Sequence, residues 1–416
     1  MRICIVYDCL YPYTIGGAER WYRNLAERLA AEGHEVTYVT LRQWDRGETL
    51  DLDERVRVVV AGPRMALYTS GGRRRVLPPL VFGLGVLAHL LRYGRRYDVV
   101  HACAFPYFSL LAAGLLRRMR GFRLEVDWFE VWSDSYWRDY LGGVGGRIGG
   151  LVQRLCAHLP QRAFCFSELH AERLREEGLR GPVTVLRGLF AERVEPVEPV
   201  EEQASAPVAL FAGRLIAEKQ AALGVEAIAI AKHQIGELRG VFIGDGPERA
   251  ALEREIAAQG LGDSVVALGF ADAETVDREM RGAMCMLLPS RREGYGMVVV
   301  EAAARSTPSV VVAGADNAAT ELIEDGVNGT IAPRSDAQAV AEAIVRVHEG
   351  GMELRTSTGE WFARNAEALS LESSLQTVAA GYEDVVPDGA SRSGGSGFSG
   401  PAPGGSPPRP GSSTRT

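Results

Sequence analysis

Leu287-Leu288-Pro289-Ser290-Arg291-Arg292-Glu293-Gly294-Tyr295-Gly296-Met297-Val298-Val299-Val300-Glu301-Ala302 is the stretch on which the reading of this chain turns. An apolar strand stops at a proline, a glycine-rich turn follows, and a helix opens that carries a second acid about one turn inside. Backbone N–H groups of residues 294 to 298 are then expected at a helix N-terminus, where the partial positive charge favours a phosphate. Glu293 and Glu301 are placed to accept hydrogen bonds from sugar and ribose hydroxyls. Two glutamates eight apart mean little by themselves; the strand, turn and helix around them give the spacing its content.

Working outward, short apolar strands alternate with helical stretches through most of the chain, the pattern of parallel sheets built from βαβ units, so the fold class is α/β. In the first half, strands are expected near residues 2–7, 35–41, 56–60, 98–102, 122–127, 163–166 and 183–186. A helix from about Ala18 to Glu32 ends at Gly33, as a helix with a left-handed terminal glycine does. After the segment ERVEPVEPVEEQASAP a second strand–helix series runs from Val208 to Ile331, another Rossmann-like sheet. At 416 residues the chain suits two domains. The expected division is 1–190, a linker at 191–207, 208–368, a terminal helix at 369–385, and a tail at 386–416. That tail is nearly all Gly, Ser, Pro and Arg, a composition that favours disorder.

Hydrophobic residues at 46% and charged residues at 24% fit a globular enzyme. Residues 1–190 hold 27 arginines against 20 acids, a net +7, and the remainder carries −14. No nucleic-acid motif accompanies the diffuse basic charge, so nucleic-acid binding is rejected. Six dispersed cysteines without a CxxC pair read as small apolar residues in a reducing compartment, with no metal site. The chain opens directly on the strand-like Ile3-Cys4-Ile5-Val6-Tyr7, with no basic leader ahead of it, and a soluble, cytoplasmic protein is expected. Val76 to Leu91, flanked by Arg73–Arg75 and by Arg92, Arg95 and Arg96, is sixteen residues long with Pro78 and Pro79 inside it. Spanning takes about twenty apolar residues, so a buried helix is favoured over a span, with weak peripheral membrane contact as the alternative.

Three further segments carry chemistry. Leu210-Phe211-Ala212-Gly213-Arg214-Leu215, with Lys219, ends a strand with two cations. Ile15-Gly16-Gly17-Ala18-Glu19-Arg20 follows the first strand and opens a helix, its bare glycines letting a phosphate or sugar approach the backbone. It is not G-x-G-x-x-G, and no acid closes the second strand, which weighs against a nicotinamide-dependent dehydrogenase. Val266-Ala267-Leu268-Gly269-Phe270 forms a third strand end. Asp51-Leu52-Asp53 matches a D-x-D metal motif but sits in a charged stretch of the first half and is set aside.

The 287–302 segment closely resembles the E-x7-E element of glycosyltransferase family 4, with P-S-x-x-E-G-x-G and the trailing E-A intact. The segment at 210–219 resembles that family's G-R-L-x-x-x-K, the loop at 15–20 its glycine-rich loop, and 242–248, 266–270 and 313–329 continue the likeness through nearly all of the second domain. The resemblance implies a GT-B fold: two Rossmann-like domains facing across a cleft, with the last helix crossing back to the first domain. It implies transfer of a sugar from a nucleotide-sugar donor to a small-molecule or glycan acceptor with retention of configuration. The donor is a co-substrate, and no cofactor or metal is expected.

On that resemblance Glu293 lies by the transferred sugar and Glu301 holds the ribose, while Arg214 and Lys219 clamp the diphosphate, whose growing negative charge must be stabilised. Gly16, Gly17, Gly269, Phe270, Gly294, Tyr295, Gly296, Met297 and Val298 complete the donor site. Acceptor contacts are expected from Asp127, Trp128, Phe129 and Trp132, in the aromatic stretch WFEVWSDSYWRDY, whose other reading is a hydrophobic cluster under a loop. Many relatives carry a histidine where this chain has Phe129, and His101, at the end of the preceding strand, is the nearby substitute. Ser306 stands where relatives often have glycine. Phe129 and Ser306 keep open a sugar-nucleotide-binding protein without transferase activity, and a nucleotide-sugar epimerase or hydrolase, sharing the fold and phosphate site, is the other alternative.

Overall fold

The computed structural model describes residues 1–45, 47–67, 69, 74–192 and 206–383. Most of the expected linker, the expected disordered tail, Arg73, and the last two residues of the expected terminal helix lie outside the described residues.

Runs of β-branched and other apolar residues form a first, wholly parallel sheet. Its strands are β1 (Arg2–Val6), β2 (Glu35–Thr40), β3 (Val56–Val60), β4 (Val99–Cys103), β5 (Arg123–Trp128), β6 (Arg162–Cys165) and β7 (Val183–Val185), in the order β3-β2-β1-β4-β5-β6-β7. Helices α1 (Gly17–Ala31), α2 (Leu77–Tyr93), α3 (Tyr107–Arg120), α4 (Asp134–Ala157) and α5 (Glu168–Glu176) cover it. Burial on both faces follows: Ile3, Cys4, Ile5 and Val6 of β1 are fully enclosed.

The second sheet is also parallel. Its strands β8 (Val208–Ala212), β9 (Arg239–Ile243), β10 (Val265–Gly269), β11 (Cys285–Leu288), β13 (Ser309–Val312) and β15 (Gly329–Ala332) run in the order β10-β9-β8-β11-β13-β15. Two short strands that the sequence pattern did not reveal, β12 (Arg292–Glu293) and β14 (Asp316–Asn317), pair beside it. Helices α6 (Ala221–Ile235), α7 (Arg249–Ala258), α8 (Ala273–Gly282), α9 (Met297–Ala303) and α10 (Ala337–Leu369) complete this half. Strand order reverses between β1 and β4 in one sheet and between β8 and β11 in the other. A crevice opens at the carboxyl ends of the strands at each such point.

The chain then returns. Helix α11 (Leu371–Glu383) leaves α10 at Ser370 and packs against α1. Phe190 fixes the crossing, its N–H donating to the Leu369 carbonyl at 3.1 Å and its carbonyl accepting from Leu371 N–H at 2.8 Å. Arg162 donates to the Gly381 carbonyl at 2.7 Å, and the buried Tyr382 hydroxyl meets His101 under the first sheet. Helix α2 packs along α3 rather than standing free, with Phe82, Val86 and Leu90 fully buried. Together with the turn to Arg96 it is twenty residues long, and by length and composition alone apolar enough to cross a membrane. All six cysteines are free and buried.

Ser306, just after α9, has φ of 57°, the left-handed region that costs an L-residue with a Cβ about 1–2 kcal/mol. The local backbone explains why glycine suits this position. Ser306→Gly is therefore expected to stabilise the protein by roughly 1 kcal/mol, less any loss from added unfolded-state freedom. Urea denaturation midpoints of the two proteins, at an unchanged m-value, check it.

Candidate active site

The two crevices face each other and merge into one cleft of about 820 Å³, within the range of small-molecule sites. The first sheet contributes Tyr7 after β1, Gly16 to Glu19 at the start of α1, Phe105 after β4, Phe129 and Glu130 after β5, and Phe166 after β6. The second contributes Gly213, Arg214 and Lys219 after β8, Gly244 and Asp245 after β9, Phe270 after β10, and Glu293 to Val298 with Glu301 after β11. Every strand that borders a reversal thus sends its following loop into the cleft.

On the second-domain wall, Lys219 Nζ stands 2.5 Å from Glu293 Oε1, and Glu293 is nearly enclosed. Arg214 is exposed to the cleft, and its side chain makes no hydrogen bond or ion pair among the described residues. Glu301, one turn into α9, also lacks a side-chain partner there; burial, helped by the charge of Glu192, raises its carboxyl above the usual range against the pull of Arg305 and Arg20. Gly296 has φ of 100°, and a Cβ there would lie 2.6 Å from that of Ala319. Glycine is therefore required where the turn enters α9, whose first N–H groups have no preceding turn to bond to. Met297 reaches across to the glycine loop, 3.5 Å from where a Cβ of Gly17 would be. Phe270, 87% exposed, forms a bare aromatic rim. Gly269 stands behind it, at φ 77°, outside the cleft lining, its Cα side filled by Arg249.

The first-domain wall differs from the sequence expectation at three residues. His101 is fully buried beneath the sheet, with Nδ1 on the Tyr382 hydroxyl and Nε2 2.9 Å from Asp127 Oδ1. It does not line the cleft, so it cannot replace a catalytic histidine. Asp127 is equally buried and accepts from Trp21 Nε1 at 2.7 Å, and Trp128 is enclosed with its indole N–H on Gln161 at 2.9 Å. Neither can touch an acceptor, because each is committed to a core partner. Phe129 and Trp132 do line the cleft. Phe129 stacks on Phe166 at 4.4 Å and 3° between planes, presenting an apolar face where many relatives carry a histidine.

The aromatic stretch is half loop and half helix, and Arg292 fills it. That guanidinium lies 4.3 Å from the Tyr136 ring and 5.3 Å from Trp132, and bonds Glu130, which also accepts from Trp132 Nε1 at 2.7 Å. Burial pushes the Arg292 guanidinium down to about 10, against the charges of Glu293 and Asp316. A cation from the second domain is thus held in an aromatic cage of the first, beside the cleft-lining Glu130 and Trp132.

Sequence reasoning missed Glu19. It is 6% exposed, lines the cleft, has no hydrogen-bond partner among the described residues, and lies over Gly16, where a Cβ would be 2.3 Å from Oε2. An acid in the first turn of a helix that follows two glycines and a strand was the available signal. Arg74, bonded to the buried Asp8 and lying 5.2 Å over Phe105, was also missed, since nothing local places that loop at the cleft. Among the described residues no group of three His, Cys, Asp or Glu side chains is gathered as for a metal ion.

Two Rossmann-like domains with a shared cleft at the carboxyl ends of both sheets define a GT-B glycosyltransferase fold, and solved structures agree. Sucrose-phosphate synthase from Thermosynechococcus elongatus superposes with a TM-score of 0.71 over 92% of this chain and 98% of that one, at 19% identity. HepE of Anabaena, solved in complex with UDP, gives 0.71 over 92% of this chain and all of that one, at 20% identity. Residues 15–188 match the model described as Glycosyltransferase Family 4, and residues 196–361 the model described as Glycosyl transferases group 1. The chain belongs to glycosyltransferase family 4. Among curated relatives it is 33% identical to the alpha-D-kanosaminyltransferase of Streptomyces kanamyceticus, over 43% of this chain and 46% of that protein. It is 35% identical to the amylovoran biosynthesis glycosyltransferase AmsK of Erwinia amylovora, over 34% and 36%. The chain thus spans less than half the length of either relative.

His170, in α5 behind the cleft, gives this region a pH dependence. It is 1% exposed, and its Nδ1 accepts from Val131 N–H at 3.2 Å. Burial, and then the charge of Arg173, depress its pKa to about 4. The unfolded chain takes up that proton near 6.5 and the native one only near 4. The contribution is therefore complete above about 6.5 and is lost as pH falls toward 4, at most about 3 kcal/mol. Denaturant titrations across that interval should show a falling midpoint in the wild type, and a flatter one in His170→Asn.

Proposed function

We propose that this chain transfers a sugar from a nucleotide-sugar donor to a small-molecule or glycan acceptor, with retention of anomeric configuration. The observation that carries this is the single wall on which Arg214, Lys219, Glu293 and Glu301 meet at the mouth of β8 and β11. A diphosphate leaving group gathers negative charge as its bond to the sugar breaks, and two fixed cations stabilise it without proton transfer. Arg214 is unengaged and Lys219 needs only to exchange Glu293 for phosphate oxygen. Glu293, so released, accepts from a sugar hydroxyl, and the partnerless Glu301 accepts from the ribose. The exposed Phe270 offers the nucleotide base a stacking face.

On this reading residues 208–368 hold the donor, residues 1–190 the acceptor, and 369–385 tie the two, within a cytoplasmic enzyme. The acceptor approaches between Phe129, Trp132 and the glycine loop. Phe129 supplies no base, so the leaving phosphate oxygen takes the acceptor proton on the same face of the sugar from which it departs, which gives retention. The names of the relatives, a kanosaminyltransferase and an amylovoran biosynthesis enzyme, favour an acceptor from natural-product or surface-glycan synthesis. Phe129 also favours a second reading, binding of the donor without turnover, in which no sugar moves under any acceptor.

Thermal unfolding with UDP-, GDP-, ADP- and dTDP-sugars tests the donor site. One nucleotide is expected to raise Tm, with about 2.7 kcal/mol of stabilisation at a hundredfold excess over Kd, and Arg214→Ala and Glu301→Ala to remove the shift. A flat response to all four would sink the proposal. With a competent acceptor, the anomeric coupling of the product by proton NMR should match that of the donor.

A further inference from the structure

We infer that the helical face of the first domain formed by α2, α3 and α4 docks on an anionic lipid bilayer. The starting observation is the inverted polarity of α4. A surface helix ordinarily buries large apolar residues and shows polar ones. From residue 143 onward α4 does the reverse. Its inward face is Gly146, Gly149, Gly150, Gln153, Cys156 and Ala157. A Cβ at Gly149 would lie 2.3 Å from the Trp137 ring, and one at Gly146 2.6 Å from the Trp137 carbonyl oxygen, so glycine is what lets the helix approach. Its outward face is Val144, Ile148, Leu151 and Leu155, each at least half exposed and Val144 75%. Their spacing of four, three and four keeps them on one stripe.

The stripe continues onto the neighbours. Helices α2, α3 and α4 connect successive strands that step in one direction from β3 through β6, so right-handed crossovers place them on one side of the sheet, and each packs on the next. Leu84 of α2 is 67% exposed and Leu115 of α3 68%. Of the nineteen large apolar side chains exposed among the described residues, twelve fall between Val76 and Leu155, so this face carries most of the molecule's unsatisfied apolar surface.

Charge selects the occupant. Residues 77–96 and α3 contain no acid and carry Arg92, Arg95, Arg96, Arg117, Arg118 and Arg120. The part of α4 from residue 143 on is also free of acids and adds Arg147 and Arg154, the latter paired with Glu177 and Asp134. Self-association through a two-fold axis sets this basic face against itself, which like charge opposes. Aliphatic side chains accompanied by arginines on one helical layer match the headgroup and acyl boundary of an anionic membrane, each cation adding attraction as each buried side chain adds transfer free energy. The contact does not depend on what the cleft binds.

Sedimentation of the full chain with phosphatidylcholine vesicles, with and without phosphatidylglycerol, tests this. Wild type is expected to pellet with the anionic vesicles and release in part at high salt. Ile148→Ser with Leu151→Ser should weaken partitioning at least about tenfold, since both side chains lose their burial in lipid. Arg92→Glu with Arg118→Glu should remove the preference for phosphatidylglycerol. An unchanged Tm in either double variant shows that folding is intact. The inference is overturned if wild type stays in the supernatant, or if neither variant differs from it. It is equally overturned if light scattering finds a dimer that Ile148→Ser with Leu151→Ser converts to monomer, which would assign the face to a second copy.

Discussion

A parallel strand can be followed by another only if the chain returns to the same edge to begin again, so every strand of a parallel sheet delivers its carboxyl end to one side. That constraint governs this molecule twice. Where the strand order reverses, between β1 and β4 and between β8 and β11, the flanking helices pass to opposite faces and the loop ends are left unroofed. Gly16, Phe105, Arg214 and Glu293 are far apart in sequence yet all occupy such ends. The cleft is thus a consequence of connectivity, and its chemistry is what the loops supply.

The two halves share buried apolar packing, in which Tyr295, Val299 and Leu322 join the core of the first, and specific polar contacts add to it. Arg292 enters the Trp132 and Tyr136 cage beside Glu130, and Arg173 bonds both Asp316 at 2.7 Å and the Val131 carbonyl at 2.7 Å. Glu321 caps α5 from the other domain, accepting from the N–H groups of Glu168 and Leu169 at 2.8 and 2.7 Å, where a helix start favours an anion. Desolvation offsets much of the Coulomb gain in such pairs, so their main effect is to select one relative placement of the domains rather than to add stability. Helix α11 adds the covalent return path, anchored at Arg162 and Tyr382.

The strands and most helices were legible because their signals are local: an apolar run, a glycine at the helix end, a proline after β11. The cleft residues of the second domain were legible for the same reason, since Arg214, Lys219 and Glu293 lie in the loops that follow β8 and β11, and Glu301 lies in the helix that the second of these loops opens. The first domain was read less well, and the failures share a cause. His101 and Asp127 look like free polar groups at strand ends, but their partners, Tyr382 and Trp21, lie 281 and 106 residues away in the chain. The same distance effect hid Arg74 and the role of Arg292. Strands β12 and β14, two residues each, are too short for any periodicity to register.

Phe129 is the point where the fold constrains the proposed chemistry most. A general base contributes typically 10²–10⁴ in rate, whereas a single fixed donor to a developing anion contributes about 10²–10³. On the proposed reading, two cations at the leaving group supply an effect comparable to the base that the phenylalanine cannot be. The stacked pair of Phe129 and Phe166 gives the first-domain wall of the cleft an apolar face. On the same reading, charge stabilisation at the departing diphosphate, rather than proton abstraction at the acceptor, is the work of these side chains.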